Sequence, residues 1–523
     1  MKTSACSIAA ALALSFCSVP ASAQWNPDPS VNLLVSGPDA VSQDLPYAAA
    51  APDGSSYVSW LSWENATACL KLQHLGKDGA PLFQEGGIYV SKNPTPTWSS
   101  GFDITCDSEG NAVIVYSDKR NGLWQAYAYK VSPAGEMLWN DGVLLATNNQ
   151  ESCLNPKVVM TDAGNVIIGF QSLYESHNSI KVVKLTPSGS KAWGGFIELQ
   201  GTNGLYNLVA GVKDSFYVSY LMANEGSLAV MRYTANGEEA WTEPTVTDNG
   251  QVIVGTEPTA APDGNGGVLV GWRHAVSEFS SEGRLQGIDS SGAVLWPESR
   301  SFTNVPQACA DTGGNIYVAY TKGQENADNL FVSKYDMGGE DIWNTKALLK
   351  QEAYRVSIYG IRSVEDDVAV VYRNAGNYND ATIGYAHIDH NGDPVVTDGN
   401  VSTMPGDKGM GSLVYTGDGQ LVLAWGDNGS SKGGGRIYAQ NVNLDVAVGI
   451  EHVTDAGNGI SRAFYSDGVV RVPGAEGHAC VYSMGGTMIW SGAVSGESLH
   501  TGYLLPGIYL VKTTVGSVKL LAN

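Results

Sequence analysis

The sequence predicts an all-β protein: an eight-bladed β-propeller followed by a small C-terminal β-sandwich. Three observations predict it. The chain carries 63 Gly, 25 Tyr and 13 Trp with only 16% charged residues, which suits tight turns and aromatic strands better than helices. A turn carrying Asp, followed by an apolar strand that ends in an aromatic residue, recurs about every fifty residues. A second turn, a Gly followed four places on by a large apolar residue, keeps step with the first.

The first signal reads "APDGSSYVSW" at Asp53, "CDSEGNAVIVY" at Asp107, "TDAGNVIIGF" at Asp162 and "VKDSFYVSY" at Asp214. It continues as "APDGNGGVLVGW" at Asp263, "ADTGGNIYVAY" at Asp311, "VEDDVAVVY" at Asp366 and "TGDGQLVLAW" at Asp418. The second pairs Gly79 with Phe83, Gly135 with Trp139, Gly189 with Trp193, Gly237 with Trp241, Gly292 with Trp296 and Gly339 with Trp343. In the seventh repeat Gly392 precedes only Val396, and in the eighth the element has decayed to "NLDVAVG".

Each unit reads as four strands; in the second these are "GFDITC", "NAVIVYS", "QAYAYKVS" and "EMLWNDGVLLAT". Apolar and polar residues alternate at period two, and Asp-Gly and Ser-Gly pairs supply the positive φ of tight hairpins. A lone four-stranded sheet cannot cover both of its faces, whereas sheets stacked around a ring cover each other. The recurring Trp or Phe therefore reads as a plug between neighbouring blades rather than a platform for carbohydrate. The eighth repeat offers three strands, and "VNLLVSG" at 31–37 is expected to supply its fourth, which zips the two ends of residues 24–445 into one sheet.

Residues 1–23 hold one Lys, a short apolar run and an Ala-Ser-Ala ending, the pattern of a signal peptide cleaved after Ala23. The "LSFC" context of Cys17 lacks the small residue that precedes a lipidated cysteine. No later stretch holds eighteen uncharged apolar residues, so no membrane-spanning helix is expected. Cys69, Cys106, Cys153, Cys309 and Cys480 are odd in number and scattered, which favours single buried thiols over disulfides. The formal charge of −22 repels phosphate backbones and anionic lipid, so neither nucleic acid nor a membrane surface is an expected partner.

Residues 446–523 break the period. They hold Val481-Tyr482, Gly485-Gly486, Leu505-Pro506-Gly507-Ile508-Tyr509, Val511-Lys512 and a closing Lys519. This run resembles the C-terminal sorting domain of type IX secretion in Bacteroidetes. The resemblance implies a sorting signal in Leu505, Pro506, Gly507, Tyr509, Lys512 and Lys519. It implies passage through the periplasm, recognition by the outer-membrane secretion machinery, and a protein secreted or held at the cell surface. The repeats are also similar to those of secreted propellers from the same bacteria, through Val115-Tyr116-Ser117-Asp118-Lys119-Arg120 and Ile437-Tyr438-Ala439-Gln440. That family has no agreed activity.

Propellers host many functions, so activity has to be argued from sites. Sialidase turns place Gly three residues before Trp, after Ser-x-Asp; here the spacing is four and arginine is scarce. There is no Gly-x-Ser-x-Gly elbow, no Walker-type loop and no His-x-x-x-His pair, so no catalytic residue, metal or cofactor is assigned. "DHNGD" at 389–393 has the oxygen spacing of a calcium loop but lacks the distal Glu, and reads as a plain turn.

What remains is the face carrying the loops between second and third strands, which are long and varied. The binding candidates there are Trp63, Asp118, Arg120, Trp124, Tyr174, His177, Arg273, His274, Arg373 and Tyr378. Aromatics beside polar groups suit sugars or peptides. The expected function is non-catalytic binding or scaffolding of glycan or protein on that face. The rival is a glycan-active hydrolase or lyase, which needs a pair of carboxylates at the channel mouth.

Overall fold

In the computed structural model the described residues are 25–522, apart from 39–41, 65–66, 96–100, 147–150, 175–177, 224–225, 249, 254–256, 325–326, 351–354, 376–380, 428–434, 445–462, 467, 476, 484–487, 503, 505–506 and 514–515. Every regular element among them is a strand. No helix is long and apolar enough to cross a membrane. The chain divides into two compact units, Met1–Asn443 and Leu444–Asn523.

The first unit holds eight four-stranded antiparallel sheets among the described residues. In the second sheet Phe102–Cys106, Ala112–Asn121, Leu123–Val131 and Val143–Leu144 pair in chain order. The recurring Asp builds the turn between the first two strands. Asp107 Oδ1 accepts the amides of Glu109 (3.0 Å) and Asn111 (2.8 Å), while Gly110 takes φ 82°. That geometry is why Asp and Gly recur at this spacing. Period-two alternation fails in the second strands: Val113, Ile114, Val115 and Tyr116 are all fully buried. Both faces of each sheet are covered by neighbours, so both alternating sets must be apolar.

Inner strands meet from sheet to sheet in chain order, Ser42–Ala50 against Phe102–Cys106 and onward, until Lys408–Gly417 returns to Ser42–Ala50. Ladders do not cross these junctions, and side chains bridge them instead. Asp103 Oδ2 accepts the Val158 amide (3.0 Å), Tyr206 donates to the Asn155 carbonyl (2.8 Å) and Tyr359 to that of Gly409 (2.8 Å). Ser412 Oγ accepts the Ala48 amide (3.0 Å) across the junction of the eighth and first sheets.

The aromatic plugs lie farther out. Phe83 packs on Gly135, Trp139 on Gly189, Trp193 on Gly237, Trp241 on Gly292, Trp296 on Gly339 and Trp343 on Gly392. Each glycine has φ between +80° and +95°, and a Cβ on any of them would fall within 3.3 Å of the ring. One motif thus meets two demands, a left-handed turn and a flat seat for the previous sheet's ring.

Among the described residues the eighth sheet carries no plug of its own, and Trp25 takes that place by packing on Gly79. Its amide donates to the Asp78 carbonyl (2.8 Å) and its indole to that of Lys77 (3.0 Å). The chain then runs along the seam. Thr403 N donates to the Pro29 carbonyl (2.8 Å), and Leu33–Leu34 pairs antiparallel with Arg436–Asn443 as the outer strand of the eighth sheet. Val35 N donates to the Ile437 carbonyl (2.9 Å), and Ser36 Oγ accepts the Ile437 amide (3.1 Å).

In the second unit Phe464–Ser466, Val469–Arg471 and Ser498–Leu499 form one sheet; Met488–Ala493, His478–Ser483, Gly507–Thr513 and Gly516–Ala522 form another. They share a core of Val470, Val472, Leu499, Val481, Val511 and Leu520. Gly507, Tyr509 and Lys512 lie on one strand of that unit, and Lys519 sits opposite Leu510 on the next. Leu505 and Pro506 lie outside the described residues.

The five cysteines carry no disulfide. Burial pushes the thiols of Cys106, Cys153 and Cys309 up to about 12. The 389–393 stretch is a hairpin turn in which Asp389 Oδ1 accepts the amides of Asn391 (3.0 Å) and Asp393 (2.8 Å). No cluster of three or more His, Cys, Asp or Glu side chains is placed to hold a metal among the described residues.

Candidate binding site

The charged candidates Asp118, Arg120 and Arg373 form ion pairs within the protein, and His274 meets Asp248. Asp118 is fully buried and meets Arg120, whose guanidinium lies 3.6 Å from the Tyr127 ring centroid and donates to Asp141. Lys181 joins Glu151 (2.5 Å) and Tyr174 (2.8 Å). Burial would raise the Glu151 carboxyl, but Lys181, Ser172 and Tyr174 outweigh it and hold it below the ordinary carboxylate range.

Asp248 receives both His274 Nδ1 (2.6 Å) and the Trp272 indole (2.7 Å). Arg373 meets Asp407 (2.7 Å), and Lys408 meets Asp427 (2.7 Å) in full burial. Asp118, His274, Arg373 and Asp427 stand on second strands, Lys408 at the start of an inner one, Lys181 on a third strand and Asp248 at the end of an outer one. Each buried charge among them needs a partner.

The aromatic candidates divide. Trp63 packs against the core of the first and second sheets. Trp124 is half-buried with Lys119 Nζ 4.7 Å from its ring centroid. Arg273 is exposed and donates to Ser281 (2.9 Å). His177 and Tyr378 lie outside the described residues. The described candidates stand on or beside five different sheets, the first, second, third, fifth and seventh.

Two other groupings do form. At the starts of the inner strands, Tyr47, Asp103, Lys157, Tyr206 and Glu257 act on one another electrostatically. Lys157 Nζ pairs with Glu257 (2.6 Å). Asp103 already accepts the amides of Val158 and Ile104, and burial raises its carboxyl. Burial, reinforced by Asp103 and Glu257, pushes Tyr47 up to about 12. A phenol raised that far stays protonated at neutral pH, and Asp103 and Glu257 are both engaged.

The second grouping is a pocket of about 250 Å³ on the seam between the eighth and first sheets. Ser36, Gly37 and Pro38 form one wall; Gln43, Ser62, Glu64, Lys71, Glu85, Gly86 and Tyr89 form the rest. Tyr89 donates to Glu64 (2.7 Å) and Gln43 to Ser62 (3.0 Å). Lys71 Nζ stands 5.0 Å from the Tyr89 centroid and 5.8 Å from that of Trp60, and forms no ion pair among the described residues. Burial lowers its pKa, with Glu64 pulling the other way.

None of the pocket residues was a candidate from the sequence. The related expectation is the closing strand at 31–37, assigned to the eighth repeat and not to the first sheet.

No protein-family model matches the chain, and no curated protein does. Among solved structures, a PL25 ulvan lyase bound to -[GlcA(1-4)Rha3S]- is similar at 11% identity and TM-score 0.40, over 82% of this chain and 98% of that one. The polysaccharide lyase Uly1 is similar at 9% identity and TM-score 0.40, over 78% and 91%. An N10 neuraminidase-like protein of A/little yellow-shouldered bat/Guatemala/060/2010 is similar at 9% and 0.39, over 68% and 97%. Similarity this distant carries nothing about ligand or reaction.

Proposed function

We propose that residues 24–445 form an eight-bladed β-propeller that binds a neutral sugar unit of a glycan in the seam pocket without turning it over. The pocket carries the reading. Its volume of about 250 Å³ suits a single sugar ring, and Glu64, Glu85 and Ser62 can accept hydrogen bonds where Lys71 and Gln43 donate. Two carboxylates against one ammonium disfavour an anionic ligand and suit hydroxyl donors. The cyclic order of inner strands and the plugs at their outer ends support eight blades.

Residues 446–523 are, in the same proposal, a β-sandwich sorting domain read by type IX secretion, with residues 1–23 removed on the way. The protein would then work outside the cell or on its surface. The rival hydrolase or lyase would use the channel-mouth carboxylates. Asp103 and Glu257 are committed to backbone amides and to Lys157, which favours binding over turnover.

A glycan array probed with the mature chain tests both readings. Retained neutral glycan with no product release supports binding; release of shortened or unsaturated sugars supports the enzyme. Removal of residues 446–523 should leave the protein in the periplasm, and its unimpaired export would remove the sorting proposal.

A further inference from the structure

We infer that the seam pocket is assembled by the N-terminal clasp, residues 25–37, and that Trp25 is the latch that keeps it assembled. The inference names the regulation of the proposed sugar site and rests on that reading for its biological meaning. Its structural content stands on separate observations.

The clasp supplies a whole wall of the pocket through Ser36 and Gly37, yet its ladder to the eighth sheet is only Leu33–Leu34. Second and third strands pair over far longer stretches, as in Ser56–Glu64 with Thr67–Leu75, while the second sheet's outer strand Val143–Leu144 is as short as this one. The middle of the clasp is also held by Val35 and Ser36 on Ile437 and by Asn32 on Val401 and Ser402, and its two ends are pinned separately on the first sheet.

Both ends dock on one connection of the first sheet. Trp25 seats on Gly79, with hydrogen bonds to the Lys77 and Asp78 carbonyls. The other end brings Gly37 against Gly86 so closely that a Cβ on Gly37 would lie 3.1 Å from the Gly86 Cα. Gly86 abuts both the clasp and Lys71, since a Cβ there would lie 3.1 Å from the Ser36 carbonyl oxygen and 3.7 Å from Lys71 Nζ. Losing the indole frees one end of the clasp and one end of the connection that carries the opposite wall.

The two walls then separate, and the open form presents no enclosed pocket. Ligand that bridges Ser36 to Glu85 or Tyr89 must favour the latched form by the same factor that latching favours ligand. The apparent affinity falls in proportion to the latched fraction.

Hydrogen exchange of the full mature chain tests this with no ligand needed. In Trp25→Ala the amides of Val35, Ser36 and Gly87 should exchange at least tenfold faster, while Phe216–Met222 in the fourth sheet stays as protected as in wild type. Trp343→Ala removes the same kind of plug between the sixth and seventh sheets and should leave the seam amides protected. If Trp25→Ala fails to fold, Trp25→Phe should show the same seam-confined acceleration at reduced size.

Unchanged seam exchange in either Trp25 variant, or equal acceleration in Trp343→Ala, would overturn the latch. A glycan that binds while seam exchange is unchanged leaves the binding reading intact and removes this inference. Seam acceleration with an array that yields no ligand does the reverse.

Discussion

The indole of Trp25 occupies on Gly79 the place that Trp193 and Trp241 occupy on Gly237 and Gly292, down to the hydrogen bond from Nε1 to the carbonyl two residues before the glycine. A residue from the start of the described chain thus completes a pattern that the eighth repeat had lost. The stability of Trp25→Ala should fall by about 2 kcal/mol, below the 3–5 kcal/mol typical of fully buried aromatics because Trp25 is only half-buried. Urea unfolding monitored by far-UV dichroism checks it, and an unchanged midpoint would contradict the plug.

Gly237→Ala should cost more than Gly201→Ala. Both glycines have positive φ, but a Cβ at 237 meets the Trp193 ring at 3.0 Å while one at 201 meets nothing within 4 Å. The difference isolates the ring seat from backbone strain, and a pair of thermal melts measures it. Equal losses would reduce the motif to turn chemistry alone.

Glu151→Ala should destabilise by about 3–5 kcal/mol, because it leaves the Lys181 ammonium buried without its carboxylate. The double variant Glu151→Leu, Lys181→Met should recover most of that loss. A double-mutant cycle reads the coupling directly, and a coupling near zero would show that the pair is screened.

Acid should weaken the first unit through a defined set of carboxylates. Glu151, Asp107, Asp214 and Asp311 all have pKa values held below the ordinary range despite burial, by Lys181, Lys130, Lys184 and Asn315 respectively among other partners. Depressed folded values mean that the unfolded chain binds protons first, so their contribution is complete above about pH 4–5 and is lost as pH falls through the lower folded values. Thermal melts between pH 6 and pH 2 should show that decline, and Glu151→Gln should flatten part of it. A flat profile would contradict the sign.

Alkali acts through the phenols. Burial pushes Tyr47, Tyr129, Tyr217 and Tyr372 up to about 12. Raised folded values contribute stability in full below the ordinary phenol pKa of about 10, and that contribution is lost as pH climbs toward 12. An absorbance titration should therefore show one group of tyrosines ionising near pH 10 and a second only above it. A single step near 10 would show that these rings are open to solvent.

Glu64→Gln should weaken glycan binding about tenfold, the loss of one charge-assisted hydrogen bond, with unfolding stability unchanged within about 0.5 kcal/mol because Glu64 is exposed. Titration calorimetry with the best array ligand checks it. Retained affinity would move the site elsewhere on the long-loop face.

The repeat made the sheets legible. Asp107 and Gly110 recur because a tight turn needs an acceptor and a positive φ at fixed positions, and such local demands are written in adjacent residues. The Gly-to-Trp spacing was equally readable, since one short segment carries both the seat for the previous ring and the ring for the next seat.

The site was not legible, because charge alone does not reveal a partner. Asp118 and Arg120 look like ligand-facing groups until packing shows them spent on each other. Trp25 resembled any exposed residue near a chain end; only the vacancy on Gly79, some fifty residues away, gives it work. The pocket arises where Ser36 and Gly86 meet, and no local pattern encodes a contact between segments that far apart. Short-range backbone chemistry is periodic and can be read along the chain, whereas burial and pairing depend on which surfaces the closed arrangement brings together.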